Sequence, residues 1–150
     1  MPYRVRLALL ATALAAAAGH AGSAAAHPSR AVRVAAEQRS VVRYARRFLG
    51  VRYEYGGTSP RTGFDCSGFT RFVYARFGVE LPHYSVAQFS AGRRVHGALE
   101  PGDLVFFDGL GHVGLYVGGG RFIHAPHTGA AVSIDTLGDH GSYDGAVRIL

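Results

Sequence analysis

Apolar residues recur at helical spacing in the first half of the chain and at strand spacing in the second. Over residues 35–49, Val41, Val42, Ala45, Phe48 and Leu49 fall near one face of a helix, and Gly50 suits its end. Gly56-Gly57-Thr58-Ser59-Pro60 has loop chemistry. A second helix is expected to start at about Cys66, with Phe69, Phe72, Val73 and Phe77 as its buried face and Gly78 as its stop. Ser85 and Gln88 have capping-box spacing, which predicts a third, shorter helix to about Ala91. After the turn Pro101-Gly102-Asp103 the pattern changes to strands, over 104–107, 112–117, 121–124, 131–134 and 146–150. The glycines between them suit hairpins. Helices first and an antiparallel sheet of about five strands second make an α+β domain. No internal repeat interrupts this order.

The start of the chain reads differently. Arg4 and Arg6 precede an apolar run over residues 7–18, and Ala24-Ala25-Ala26 fits a small-x-small cleavage rule. Residues 1–26 are therefore expected to be a signal peptide, cleaved before His27. The run is short for a transmembrane helix, although a retained anchor is the alternative. No cysteine follows it to carry a lipid. Residues 27–34 are expected to be a flexible leader and 35–150 a single domain, a length that buries one core without disulfides. Cleavage would remove two of the 16 basic residues and no acid, so the formal charge falls from +6 to +4. Every basic residue is arginine, and they are scattered, with short pairs at Arg46-Arg47 and Arg93-Arg94. They form either a solvated face or a surface loosely attracted to an anionic polymer such as cell wall, membrane or nucleic acid.

The chain has one cysteine, so no internal disulfide forms; in an exported protein such a thiol is either reactive or paired between chains. Cys66 sits where a glycine-rich loop meets a predicted helix. There the helix dipole favours a thiolate, and unpaired N–H groups can bind an oxyanion. The alternative is an inert buried cysteine. His112 begins one predicted strand and His124 ends the next, with only Gly118-Gly119-Gly120 as the turn between them. Both then lie near one open end of the sheet. One imidazole can serve the thiol as base while the other orients it. Cys66, His112 and His124 could also be read as a metal site, but their spacing matches no common zinc motif, so neither a metal nor a cofactor is expected. His127 competes for the third role from a loop, and His83, His96 and His140 read as surface or loop residues.

Six blocks then stand in a recognisable order. They are Phe48-Leu49-Gly50-Val51-Arg52-Tyr53-Glu54-Tyr55-Gly56-Gly57, Gly63-Phe64-Asp65-Cys66-Ser67-Gly68-Phe69, Leu81-Pro82-His83-Tyr84-Ser85, Leu99-Glu100-Pro101-Gly102-Asp103-Leu104-Val105-Phe106-Phe107, the His112 strand and the His124 strand. Over residues 41–149 the chain resembles the NlpC-type peptidases, papain-like enzymes that cut peptides of bacterial peptidoglycan. The resemblance implies Cys66 as nucleophile, His112 as base and His124 as the third polar residue. It implies a Tyr53 hydroxyl that helps the oxyanion, and substrate contacts from Asp65, Ser67 and Ser85, although Asp65 and Ser85 can equally be helix caps. The position of His83 commonly holds arginine in the family, which puts any guanidinium contact there in doubt. The implied reaction is acyl transfer on a stem peptide, usually at the bond from D-γ-glutamate to a diamino acid. The implied setting is the periplasm or cell wall, as a monomer without nucleic acid or a stable membrane anchor, targeted by its own charge or by an envelope partner. The rivals are a papain-like amidase or acyltransferase on another substrate, and a non-catalytic wall-binding module.

Overall fold

In the computed structural model, residues 27–150 are described; the expected signal segment lies outside them. Helix α1 spans Arg30–Ala45 and begins where the Ser29 side chain accepts the Val32 N–H at 3.3 Å. It therefore starts inside the segment expected as a leader, because a serine cap placed ahead of helix-tolerant residues satisfies the first N–H groups. Its buried face is Gln38, Val41, Val42 and Ala45. A tight turn at Arg46–Phe48 ends it, and Gly50 takes φ +84°, the left-handed conformation that glycine adopts without steric cost.

Two short strands, β1 (Thr58–Ser59) and β2 (Gly63–Phe64), pair before helix α2 (Cys66–Ala75). A Cβ on Gly68 would lie 2.0 Å from the Gly57 carbonyl oxygen, and one on Gly57 would lie 2.4 Å from that of Gly63. The glycines thus let the loop lie directly on the first turn of α2. Tyr44, Phe48, Phe64, Phe69, Phe72 and Phe77 lock α1, β2 and α2 together, with ring centroids 5.0–6.3 Å apart. Such pairs are worth about 0.5–1.5 kcal/mol each beyond their buried area.

Helix α3 covers only Ser85–Gln88. The expected capping box does not form. Tyr84 is the cap position, the Ser85 hydroxyl donates to the Leu110 carbonyl at 2.6 Å, and the buried Gln88 amide donates to the carbonyls of Ser67 and Pro82. Both side chains serve tertiary partners instead of their own helix end.

The main sheet has six strands rather than five: β3 (Arg93–Arg94), β4 (Leu104–Phe107), β5 (His112–Gly118), β6 (Arg121–His124), β7 (Ser133–Thr136) and β8 (Tyr143–Arg148). Their order is β3-β8-β4-β5-β6-β7, and all neighbours are antiparallel. The last two strands fall a few residues away from the expected spans. Leu104, Phe106, Val113, Leu115, Ile123 and Val147 share the helix-side core with Phe69 and Val73. Val105, Phe107, Phe122 and Ala146 form a second cluster. Period-2 alternation therefore sends Val113 into the main core and leaves His112, the first residue of β5, with the second cluster. Gly114 makes room beside it, since a Cβ there would meet the Phe122 ring at 2.4 Å and the His124 Cβ at 3.2 Å. Asp103, which is fully buried, receives both Nε and Nη2 of Arg148 at 2.8 Å and so fastens β8 to the turn before β4.

Candidate active site

Asp65 caps α2: its Oδ1 accepts the Gly68 N–H at 2.7 Å. This is the cap role that the sequence left open. The cap fixes Cys66 as the first helical residue, on a cleft of about 360 Å³ whose walls include Tyr53, Asp65, Ser67, His83 and Ser85. A larger hollow of about 580 Å³ runs along α1, and no cysteine or histidine lines it. The cleft is therefore the place with chemistry.

Burial pushes the Cys66 thiol up, and the nearby Asp65 charge adds to this. Hydrogen bonds from the backbone of Val113, Ser67 and Cys66 itself pull the other way but do not prevail. Desolvation thus opposes the thiolate that the helix dipole favours, and the thiol needs a base to release its proton. The contact with Val113 locates the sulfur: it lies at the head of β5, one residue from His112. Tyr53 shares the cleft, and burial together with the nearby Cys66 and Asp65 raises its hydroxyl, which stays protonated and able to donate.

His112 and His124 meet on the sheet. His112 Nε2 lies 2.7 Å from His124 Nδ1, and His124 Nε2 lies 2.9 Å from Asp135 Oδ2. His124 is fully buried and His112 nearly so. Burial, with further repulsion from His124 and His140, lowers His112 to about 3. Burial also lowers His124, to about 4, although Asp135 pulls it upward. At neutral pH both rings are uncharged bases. Ser85 serves this end of the sheet as well. The Leu110 carbonyl that its hydroxyl holds belongs to the β4–β5 turn, where Asp108 and Leu110 take φ of 58° and 67°. Those are costly conformations for non-glycine residues, and the turn feeds directly into His112.

The structure thus gathers Cys66, Tyr53, Asp65, Ser67 and Ser85 on the cleft, whose wall also includes Gly111, and joins His112, the next residue, to His124 on the sheet. The polar groups of Asp65, Ser67 and Ser85 are engaged within the protein. Asp65 accepts from Gly56, Gly68, Ser67 and His83, and Ser67 is buried with its hydroxyl turned to Asp65. Sequence reasoning missed Asp135, whose place depends on strand register. It read His83 and His140 as surface or loop residues, and both lie in loops, but their partners were not foreseen. His83 sits on the Asp65 carboxylate, and the His140 ring lies about 5 Å from those of His112 and His124. The available signal for His83 was its place in the block Leu81-Pro82-His83-Tyr84-Ser85, where the family commonly holds arginine.

Among the described residues, His112, His124 and His140 are close enough to be considered as ligands of one ion, whereas Cys66 is not in that group. Two imidazoles on a tetrahedral zinc at 2.0–2.1 Å place their nitrogens about 3.3 Å apart. The 2.7 Å between His112 and His124 is a hydrogen bond, and the other nitrogen of His124 is held by Asp135. Chelation would have to dismantle both contacts, so the donor set does not fit a resident ion.

A cysteine at a helix start, near a neutral imidazole pair on an antiparallel sheet, has the groups that nucleophilic acyl transfer requires. The NlpC/P60 family pattern matches residues 50–149, and the chain belongs to the NlpC/P60 family. It is 44% identical over 106 residues to the "Probable endopeptidase p60" of Listeria monocytogenes, covering 68% of this chain and 21% of that protein. It is 40% identical over 92 residues to the "Gamma-DL-glutamyl hydrolase" of Bacillus subtilis, covering 57% of this chain and 22% of that one. The chain thus spans about a fifth of the length of these relatives. Among solved structures, the NlpC/p60 domain of peptidoglycan hydrolase SagA superposes with a TM-score of 0.68 at 37% identity, over 74% of this chain and 97% of that one. The peptidoglycan hydrolase RipB of Mycobacterium tuberculosis gives 0.70 at 33% identity, over 82% and 69%.

Proposed function

We propose that this chain is an exported cysteine peptidase that hydrolyses amide bonds of peptidoglycan stem peptides, at the bond from D-γ-glutamate to the diamino acid. The observation that carries the reading is the placement of the only thiol at the head of β5, beside the buried His112–His124 pair. The names of the relatives, an endopeptidase and a γ-DL-glutamyl hydrolase, and of the two peptidoglycan hydrolases support the substrate class.

His112 takes the thiol proton as sulfur attacks the amide carbon. The carbonyl π pair moves to oxygen, where backbone N–H at the start of α2 and the Tyr53 hydroxyl stabilise the charge. The imidazolium returns its proton to the amine as the C–N bond breaks, leaving a thioester on Cys66. His112 then deprotonates water, which attacks the thioester and releases the acid and the thiol. Asp65, Ser67 and Ser85 form the wall against which the acyl side lies. Residues 1–26 act as a signal peptide, 27–34 lead into the domain at 35–150, and the enzyme works as a monomer in the periplasm or wall, brought to its substrate by its charge or an envelope partner. No helix among the described residues is long and apolar enough to cross a membrane.

Digesting purified peptidoglycan and weighing the products by mass spectrometry tests the reading. Fragments ending in D-glutamate, with a new free amine on the diamino acid, are expected. Fragments cut only between stems would move the cleavage to the crosslink, and no soluble peptide at all would overturn the assignment.

A further inference from the structure

A neutral imidazole carries one proton, so each hydrogen bond it makes decides what its other nitrogen can do. The chain of contacts at the sheet ends on Asp135 Oδ2, 2.9 Å from His124 Nε2. An ionised carboxylate only accepts. The His124 proton therefore sits on Nε2, and its Nδ1 is an acceptor. His112 Nε2, 2.7 Å from that Nδ1, must donate to it. The lone pair of His112 is then on Nδ1, the one nitrogen of the pair left to receive the thiol proton. Reversing the first bond reverses them all. A His124 carrying its proton on Nδ1 would donate to His112 Nε2, push the His112 proton to Nδ1 and leave no base for the thiol.

We propose that Asp135 is a positioning residue of this site, setting the tautomer of His124 and through it that of His112, while its charge stabilises the imidazolium formed during attack. The inference rests on the peptidase reading only in taking Cys66 and His112 as the reacting pair. Register makes the contact possible. In the β6–β7 ladder His124 faces Ser133 and Phe122 faces Asp135, so Asp135 reaches His124 along the diagonal of one sheet face. The side chain of Asp135 is 43% exposed while that of His124 is fully buried, so the carboxylate faces solvent while it orients a ring that water cannot reach. His140 stands 3.8 Å from the same oxygen, beyond hydrogen-bond distance, and does not compete for it. The other charged or titratable groups felt by the two rings are Asp108 at His112 and His127 at His124.

The test compares the full chain with Asp135→Asn and Asp135→Glu, measuring kcat and KM across pH. Asp135→Asn is expected to lower kcat by about tenfold to a hundredfold, the worth of one charge-assisted hydrogen bond. KM should change by less than about twofold, since the residue does not touch substrate. The acid limb of the profile should move to lower pH, because an imidazole pair without the anion is harder to protonate. Asp135→Glu should recover part of the rate. Unchanged kcat and an unmoved acid limb would overturn the proposal. Nitrogen NMR of the Cys66→Ala protein reads the tautomers without any substrate. Protons on Nε2 of both rings support the proposal, and a proton on Nδ1 of His124 overturns it whether or not the Asp135 variants fold. Should the wild type cut no peptidoglycan, the peptidase reading alone would fail. The tautomers, and the rate at which iodoacetamide alkylates Cys66 with and without Asp135→Asn, would then decide this one, a rate unaffected by Asp135→Asn counting against it.

Discussion

His83 lies 2.8 Å and 2.9 Å from the two oxygens of Asp65, and His124 lies 2.9 Å from one oxygen of Asp135. The residue types and distances match, yet the pairs are built in opposite senses. In the first the carboxylate is the more buried partner, at 14% side-chain exposure, and it also holds the N–H groups of Gly56 and Gly68. In the second the imidazole is buried and the carboxylate faces water. Asp65 serves the backbone: it fixes where α2 begins and hence where the thiol points. Asp135 serves another side chain, because the far nitrogen of His124 touches His112. What an Asp–His pair does is thus decided by what lies beyond its two members.

Breaking the far end of the second pair should have the largest effect. His112→Ala removes the proposed base and should lower kcat/KM on stem peptide by on the order of 10³-fold, while His83→Ala, outside the proposed relay, should leave most of the rate. Comparable losses in steady-state assays of the two variants would erase the distinction.

Acid should come next. His112 and His124 have folded values of about 3 and about 4, below the ordinary 6.5. As pH falls through 6.5 the unfolded chain takes up protons that the folded chain refuses. Stability is therefore full above about 6.5 and declines towards the folded values, by on the order of 3 kcal/mol for each ring at pH 4. Urea unfolding at pH 7 and pH 4 measures this, and replacing both histidines by glutamine should flatten the difference. An equal slope in the double variant would place the acid sensitivity elsewhere.

His124→Gln sharpens the relay from within. An amide oxygen can still accept from His112 Nε2, so the loss in kcat should be about tenfold, well short of His112→Ala. A His124→Gln variant as inactive as Cys66→Ala, with His112→Ala still active, would mean that the two roles are exchanged. On the other pair, Asp65→Ala should lower unfolding stability by about 1–2 kcal/mol through loss of the helix cap, whereas Asp135→Asn should leave it nearly unchanged. Chemical denaturation of both variants tests the contrast.

The parts of this arrangement that sequence reveals are those encoded locally. Cys66 at a helix start follows from the glycine loop before it and the spacing of Phe69, Phe72, Val73 and Phe77 after it. The β5–β6 hairpin follows from two alternating runs around three glycines, and it brings His112 and His124 together. Asp135 was not legible, because its role depends on a β6–β7 register that no turn motif specifies. The capping-box spacing at Ser85 and Gln88 misled for a related reason: both side chains found partners far along the chain, at Leu110 and Ser67. Strands of two residues, as in β1, β2 and β3, are too short to show a period. The thiolate expected from the helix dipole is opposed by desolvation of the partly buried sulfur, which the local sequence does not reveal.

Titration of the single thiol tests the central claim most directly. Iodoacetamide is added in sub-stoichiometric steps, carboxamidomethylation of Cys66 is read by intact mass, and residual cleavage of stem peptide is measured at each step. Activity should fall in proportion to the labelled fraction and reach zero at one adduct per chain, and EDTA should leave it unchanged. Full activity in completely labelled protein, or loss with EDTA that zinc restores, would contradict the assignment of Cys66 as nucleophile.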